Sequence, residues 1–533
     1  MDDYQLFRIF VIANLSNNNM EEIDYHKLLN EIFKKRSNEV KKNHLNDWNY
    51  QKKGKLFFKG KKGGISLKEC KPLSWETEFR IAKHPYKDIY AYASSKCPGI
   101  ENNMTSCICL YNENDKSNIK ILHDVGNYPK HGFDLKPAFS PDGKWIAFLS
   151  LKKYGIINKV GDVLVVPYNS DGKDVINLTE KLSISGACRE FQWPNNNTNT
   201  LLVEYCEKGY SKVCSISFKP NNPSIVVEMK VLGNYKLSIK VERDNQKYIR
   251  DFNSQKFYFL KNRLVKHCKY RTSDGVTSYY WFVYPEQQYS NGRTLLLCLG
   301  GPHNPWEPGI ECGSYHIPLL VHLGYSIIMP IVRGMPGISQ KFDDQVRGDW
   351  GGQCIQDYIY ALNTAIKDFD LDINNVAIMG HSFGGFCAYS MNVLHPDRFR
   401  CVVSESGPFN LKLFLIDSLK YNKIKGCIRN QTMVSEMYNG LANPQGEMVA
   451  DKMIREQSPH NLIKNRKDRC KPILIIHGED DTRVSRKQAK EAQKRFGGNL
   501  FLYKGEGHVI DKKVENKIDR YLRILEFLDT HMT

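Results

Sequence analysis

Apolar residues recur at helical spacing near the start of the chain, where Ile23, Leu29, Ile32 and Phe33 lie on one stripe beside Glu21, Glu22 and His26. An amphipathic face of this kind must be covered, so residues 1–49 are expected to be a helical segment packing on another domain. From residue 50 to 265 the texture changes to short β-type runs broken by Asn, Gly, Pro and Asp. From 266 to 533 apolar strand-type runs alternate with helical patterns. Residues 294–299, 327–332, 376–379, 401–404, 472–477 and 499–503 read as strands, and 355–369, 383–394 and 485–495 as helices. This alternation predicts an α/β domain with a mostly parallel sheet covered on both faces.

The middle region carries a weak repeat. In "AFSPDGKWIAFLS" a tight turn at Pro141, Asp142 and Gly143 precedes a strand beginning at Trp145, and looser copies surround Pro85 and Pro194. A period of about 50 residues, each unit holding several short strands, predicts a β-propeller-like domain of about four blades over residues 50–265. An irregular β-sandwich with coincidental turns is the alternative.

A chain of 533 residues, 41% of them hydrophobic, has room for at least two domains with real cores. No apolar run approaches the ~20 residues of a membrane span, and the first residues do not read as a signal peptide. A soluble, cytoplasmic protein without a membrane partner is expected. The 15 cysteines are odd in number and scattered, which suits reduced thiols, and the one-residue spacing of Cys107 and Cys109 makes no zinc site. No metal or cofactor is called for. The net charge is +18, densest over residues 34–62, but those lysines are interleaved with acids and asparagines. A solvated basic surface rather than a nucleic-acid partner is expected.

The chemistry concentrates in "VAIMGHSFGGFCAYS", residues 376–390. A strand-type run passes through Gly-x-Ser-x-Gly into a helical pattern, the strand-to-helix turn that pushes a serine hydroxyl above a sheet edge. Ser382 is therefore the candidate nucleophile. A serine needs a base to take its proton and a third group to hold that base. The strand and turn "LYKGEGHVI" offers His508, and "LIIHGEDDTRV" offers Glu479, Asp480 or Asp481 as the acid. Ser, then acid, then His is the chain order of α/β-hydrolases. The N–H of Phe383, just after the nucleophile, is one candidate oxyanion donor, and Gly301 in "CLGGPHNPW" is the second.

Taken together, these segments resemble the prolyl oligopeptidase family of serine peptidases, and within it the acylaminoacyl-peptidase branch. The stretches that carry the resemblance are "GGPH", "IVRGMPGISQKF", "WGGQCIQDYIYAL", "VAIMGHSFGGF", "IIHGEDDTRV" and "GEGH", all within residues 266–533. The resemblance implies an α/β-hydrolase catalytic domain behind a propeller, selects Asp481 as the acid, and makes Arg483 a candidate at the substrate entrance. Two departures stand out. Leu299 occupies the place where the acylaminoacyl branch has histidine and the prolyl and dipeptidyl branches have an oxyanion-binding tyrosine, and the propeller region is short against the family's seven blades.

The function the resemblance implies is release of an N-acylated amino acid from short blocked peptides through an acyl-enzyme. A broader oligopeptidase or carboxylesterase is the nearest alternative, and a catalytically weak propeller-based binding or scaffold protein is the alternative of another class. A homo-oligomer is compatible with the sequence.

Overall fold

The computed structural model describes residues 82–233 and 265–533, apart from 96–105, 125–131, 153–159, 418–443 and some shorter breaks. The expected helical segment 1–49 and the basic stretch 34–62 lie outside the described residues.

Residues 82–233 contain three four-stranded antiparallel sheets, each with its strands in chain order. They run from Ala82–Lys83 to Asp115–Asp124, from Gly132–Phe139 to Ile176–Asn177, and from Cys188–Gln192 to Asn222–Gly233. The middle sheet shows how sequence produces the stacking. Gly143 takes φ +72°, a left-handed conformation suited to glycine, and closes the turn by donating to the Ser140 carbonyl at 2.9 Å. Beyond it the strand Trp145–Lys152 is apolar on both faces. Ile146 and Phe148 pack with Ala91, Ala93 and Ile108 of the first sheet, while Ala147 and Leu149 pack with Val203 and Cys214 of the third. With a side-chain period of two, one strand thereby glues three sheets face to face. Meanders stacked in this way are the local architecture of propeller blades.

The carboxyl-terminal part is built on one eight-stranded sheet. Its strands are β1 (Val265–Arg271), β2 (Thr277–Val283), β3 (Thr294–Cys298), β4 (Ser326–Pro330), β5 (Val376–His381), β6 (Cys401–Glu405), β7 (Ile473–Gly478) and β8 (Asn499–Tyr503). Their spatial order is β1-β2-β4-β3-β5-β6-β7-β8. β1 and β2 form an antiparallel hairpin that joins antiparallel to β4, and the remaining neighbours pair parallel. β3, β4, β6 and β7 are buried throughout, as apolar strands covered on both faces must be. The covering helices include α1 (Gln353–Phe369), α2 (Phe383–Leu394), α3 (Lys487–Phe496) and α4 (Val514–His531). Among the described residues no helix is long and apolar enough to cross a membrane.

Two buried ion pairs tie this domain together. The Arg333 guanidinium bonds Asp357 on α1 and also reaches Asp274 in the β1–β2 turn. Arg520 on α4 grips Glu405 at the end of β6, its Nη2 lying 2.7 Å from Oε1. Burial pushes the Asp357 carboxyl up to about 6 even though Arg333 opposes the shift.

Candidate active site

Ser382 is the single residue between the end of β5 and the start of α2. Its backbone sits at φ 59°, ψ −121°, a costly conformation for a residue with a side chain. The surroundings enforce it. Ser382 N–H donates to the Glu405 carbonyl at 2.8 Å, and its own carbonyl accepts from Phe386 at 3.1 Å. A β-carbon on Gly384 would lie 1.8 Å from the Cys298 carbonyl oxygen, and one on Gly380 would lie 2.0 Å from the Gly384 oxygen. Only bare backbone lets α2 begin this close to β3 and β5. Trp350 closes the other side, its ring edge-on to Phe383 at 5.3 Å.

Above this turn an unbroken line of hydrogen bonds runs through three side chains. His508 Nε2 lies 2.8 Å from Ser382 Oγ, and His508 Nδ1 lies 2.7 Å from Asp481 Oδ2. Asp481 is itself fully engaged. Its Oδ1 accepts the backbone N–H groups of Arg483 at 2.8 Å and Val484 at 3.0 Å, and His477 Nε2 stands 3.3 Å from Oδ2. Of the other two candidate acids, Asp480 is exposed and donates its N–H to the Glu506 carbonyl, while Glu479 pairs with Arg486.

The electrostatics follow from this placement. Burial would raise the Asp481 carboxyl, but His508 and His477 outweigh it and hold the group well below the usual carboxylate range. Burial lowers the His508 imidazole, with Asp481 acting against that shift. A carboxylate that stays charged beside an imidazole that stays neutral until a proton arrives is the pairing general-base chemistry needs.

Each group rides a loop at the carboxyl end of a strand: Ser382 after β5, Asp481 after β7, His508 after β8. In open α/β sheets this edge is where ligands bind. The His508 loop is anchored by Glu506, which is fully buried and accepts from the backbone of Asp511, Lys512 and Lys513 and from Asn516 Nδ2. The loop after β3 is anchored by His303, whose Nδ1 lies 2.7 Å from the Gly334 carbonyl.

The remaining expected residues fall around the same edge. Phe383 opens α2, where a first-turn N–H has no partner within the helix. Gly301 takes φ +145° in the β3 loop, and its neighbour Gly300 lies against the nucleophile, since a β-carbon there would come 3.2 Å from Ser382 Cβ. Arg483 is partly buried, and its charge lies near enough to help lower His508. Leu299 is buried in the main core at 2% exposure, so no polar side chain enters the site from that position. Three residues that sequence reasoning passed over belong here as well: His381, His477 and Glu506. Their only signal is adjacency to the quoted motifs. Among the described residues no cluster of His, Cys, Asp and Glu is placed to hold a metal ion.

A sheet of this order, with a serine on a glycine-lined turn between its fifth strand and the following helix, has the architecture of the α/β-hydrolase fold. Residues 313–533 match the prolyl oligopeptidase family. The chain is similar to dipeptidyl-peptidase 5 of Porphyromonas gingivalis, with 24% identity over 452 residues that take in 78% of this chain and 62% of the relative. It is also similar to the human acylamino-acid-releasing enzyme, with 22% identity over 243 residues, 45% of this chain and 31% of that one. The acylaminoacyl peptidase of Pyrococcus horikoshii has the same fold, with a TM-score of 0.63 at 17% identity, covering 85% of this chain and 70% of that one. The chain spans only 62–64% of the length of the dipeptidyl-peptidase 5 relatives it matches.

Proposed function

We propose that the chain is a serine peptidase in which Ser382 is the nucleophile, His508 the general base and Asp481 the residue that orients and stabilises the imidazolium. The observation that carries this reading is the continuous hydrogen-bond line from Ser382 Oγ through His508 to Asp481. In the reaction Ser382 Oγ attacks the substrate carbonyl while His508 Nε2 takes its proton. The resulting oxyanion is held by the N–H groups of Phe383 and Gly301, and losing one such donor costs about 10²–10³ in rate. His508 then protonates the leaving amine, and water repeats the sequence on the acyl-enzyme. Residues 50–265 are assigned to a reduced propeller of about four blades and 266–533 to the catalytic domain.

For substrate, the reading is release of an N-acylated amino acid from short blocked peptides, with Arg483 at the entrance. Leu299 supports it: a dipeptidyl peptidase with a tyrosine beside its glycines has a phenol donor that this chain lacks. A second reading, release of dipeptides with a free amine, is favoured by the similarity to dipeptidyl-peptidase 5 over 78% of this chain.

One preparation tests both. The wild type should react with a fluorophosphonate and Ser382→Ala should not; labelling of the variant at full stoichiometry would remove Ser382 from its role. An acetyl-alanyl chromogenic amide should then give a higher kcat/KM than a glycyl-prolyl amide, and the reverse ranking would select the dipeptidyl reading. Turnover of a short-chain ester alone would select the esterase.

A further inference from the structure

We infer that His381, the residue before the nucleophile, is a positioning residue that locks the general base to the nucleophile turn. The inference rests on the assignment of Ser382 and His508 above. His381 Nε2 lies 2.7 Å from the backbone carbonyl oxygen of His508. A carbonyl only accepts, so the imidazole must donate, which fixes its tautomer with the proton on Nε2. Burial and the neighbouring His508 lower the His381 imidazole to about 3, so it stays neutral throughout the working range. A neutral donor adds no second positive charge beside the imidazolium that forms on His508.

The geometry gives this bond more leverage than its single contact suggests. His381 is covalently joined to Ser382, and His508 Nε2 returns to Ser382 Oγ at 2.8 Å. A closed ring results, running from Ser382 through the His381 side chain to the His508 carbonyl, then through the His508 side chain back to Ser382. Two loops 126 residues apart in sequence are thus clamped at the reacting atoms themselves. The two imidazoles also touch, their centroids 4.9 Å apart at 55°. The clamp has work to do because His508 follows Gly505 and Gly507, and Gly505 takes φ +84° in a turn that favours glycine. Glu506 holds the loop from the far side. Asp481 holds the His508 ring at Nδ1, and among the described residues it is His381 that holds the His508 backbone toward the nucleophile.

Two substitutions separate positioning from packing. His381→Phe keeps a flat ring and removes the donor, while His381→Gln keeps an amide N–H that can reach the same carbonyl. With a fluorophosphonate as probe, the Phe variant should lose about 10- to 100-fold in the maximal rate of inactivation, since misplacement by an ångström costs on that order. Its half-saturating probe concentration and its Tm should stay at the wild-type values, and the Gln variant should recover most of the rate. A Phe variant that inactivates at the wild-type rate overturns the inference. So does a Gln variant as slow as Phe, or a loss that appears in half-saturation or in Tm instead of in rate. A wild-type chain that fails to label would sink the serine assignment itself, which the unsubstituted protein reports before either variant is made.

Discussion

Asp481 and Asp480 are neighbours of the same chemical type, yet only Asp481 faces the imidazole. Asp481→Asn should therefore lower kcat on a short-chain ester by about 10⁴-fold, because an amide in place of the carboxylate favours the wrong imidazole tautomer. Asp480→Asn, on an exposed side chain, should stay within about twofold of wild type, and the opposite ranking would assign the acid to Asp480. The pH profile is fixed by the same contacts. His508 acts as a base only when neutral, and burial lowers it from 6.5, so the acid limb of kcat/KM should have its midpoint below 6.5. Asp481 opposes that shift, so in Asp481→Asn the residual activity should persist to still lower pH. A limb that moved upward in the variant would mean that the titrating group is not His508. The sequence leaves the acid open among three residues in a row. What separates them physically is that a carboxylate at 481 can collect the N–H groups of Arg483 and Val484 two and three residues on while its second oxygen faces His508.

The elements bearing these residues were readable for a definite reason. β3, β4, β6 and β7 are buried at every position and mostly apolar because both faces are covered, and short apolar runs of that kind leave few other assignments. The Ser382 turn was readable because its glycines are forced, each filling a place where a β-carbon would meet backbone. Gly384→Ala tests that directly: the added carbon would sit 1.8 Å from the Cys298 carbonyl, and backbone cannot retreat as a side chain can. The variant should lose fluorophosphonate labelling and several degrees of Tm, as overpacking by one carbon costs about 1–3 kcal/mol or more. Normal labelling at normal Tm would mean that α2 does not start this close to β3. Contacts made by carbonyls and single imidazoles leave no periodicity, so the bonds of His381, His477 and Glu506 could not be read from spacing. Each follows only once the strands that carry or precede these residues are side by side.

At the scale of the whole molecule, the question is how the antiparallel sheets meet the catalytic domain. Part of the contact is one hairpin of the third sheet, between the strands Thr200–Glu207 and Tyr210–Lys219. Lys208 N–H donates to the Gly337 carbonyl at 2.7 Å. Gly209, at φ +84°, presents bare backbone to Ile331, and Tyr210 lays its ring 4.5 Å from His267 on β1 and 4.8 Å from Trp281 on β2. These contacts lie on the β1–β2 hairpin and the segment after β4, whereas Ser382, Asp481 and His508 follow β5, β7 and β8. Tyr210→Ala should therefore weaken the attachment without touching the chemistry. Two aromatic pairs disappear, each worth about 0.5–1.5 kcal/mol beyond the area it buries. Calorimetry should show a lower or divided unfolding transition, and limited proteolysis should cut the third sheet sooner. Turnover of a short-chain ester, which needs only the strand-end loops, should remain within about twofold of wild type. Ester turnover that collapsed while the transition held would make this hairpin part of the site, and the sheets would then support the catalytic loops directly.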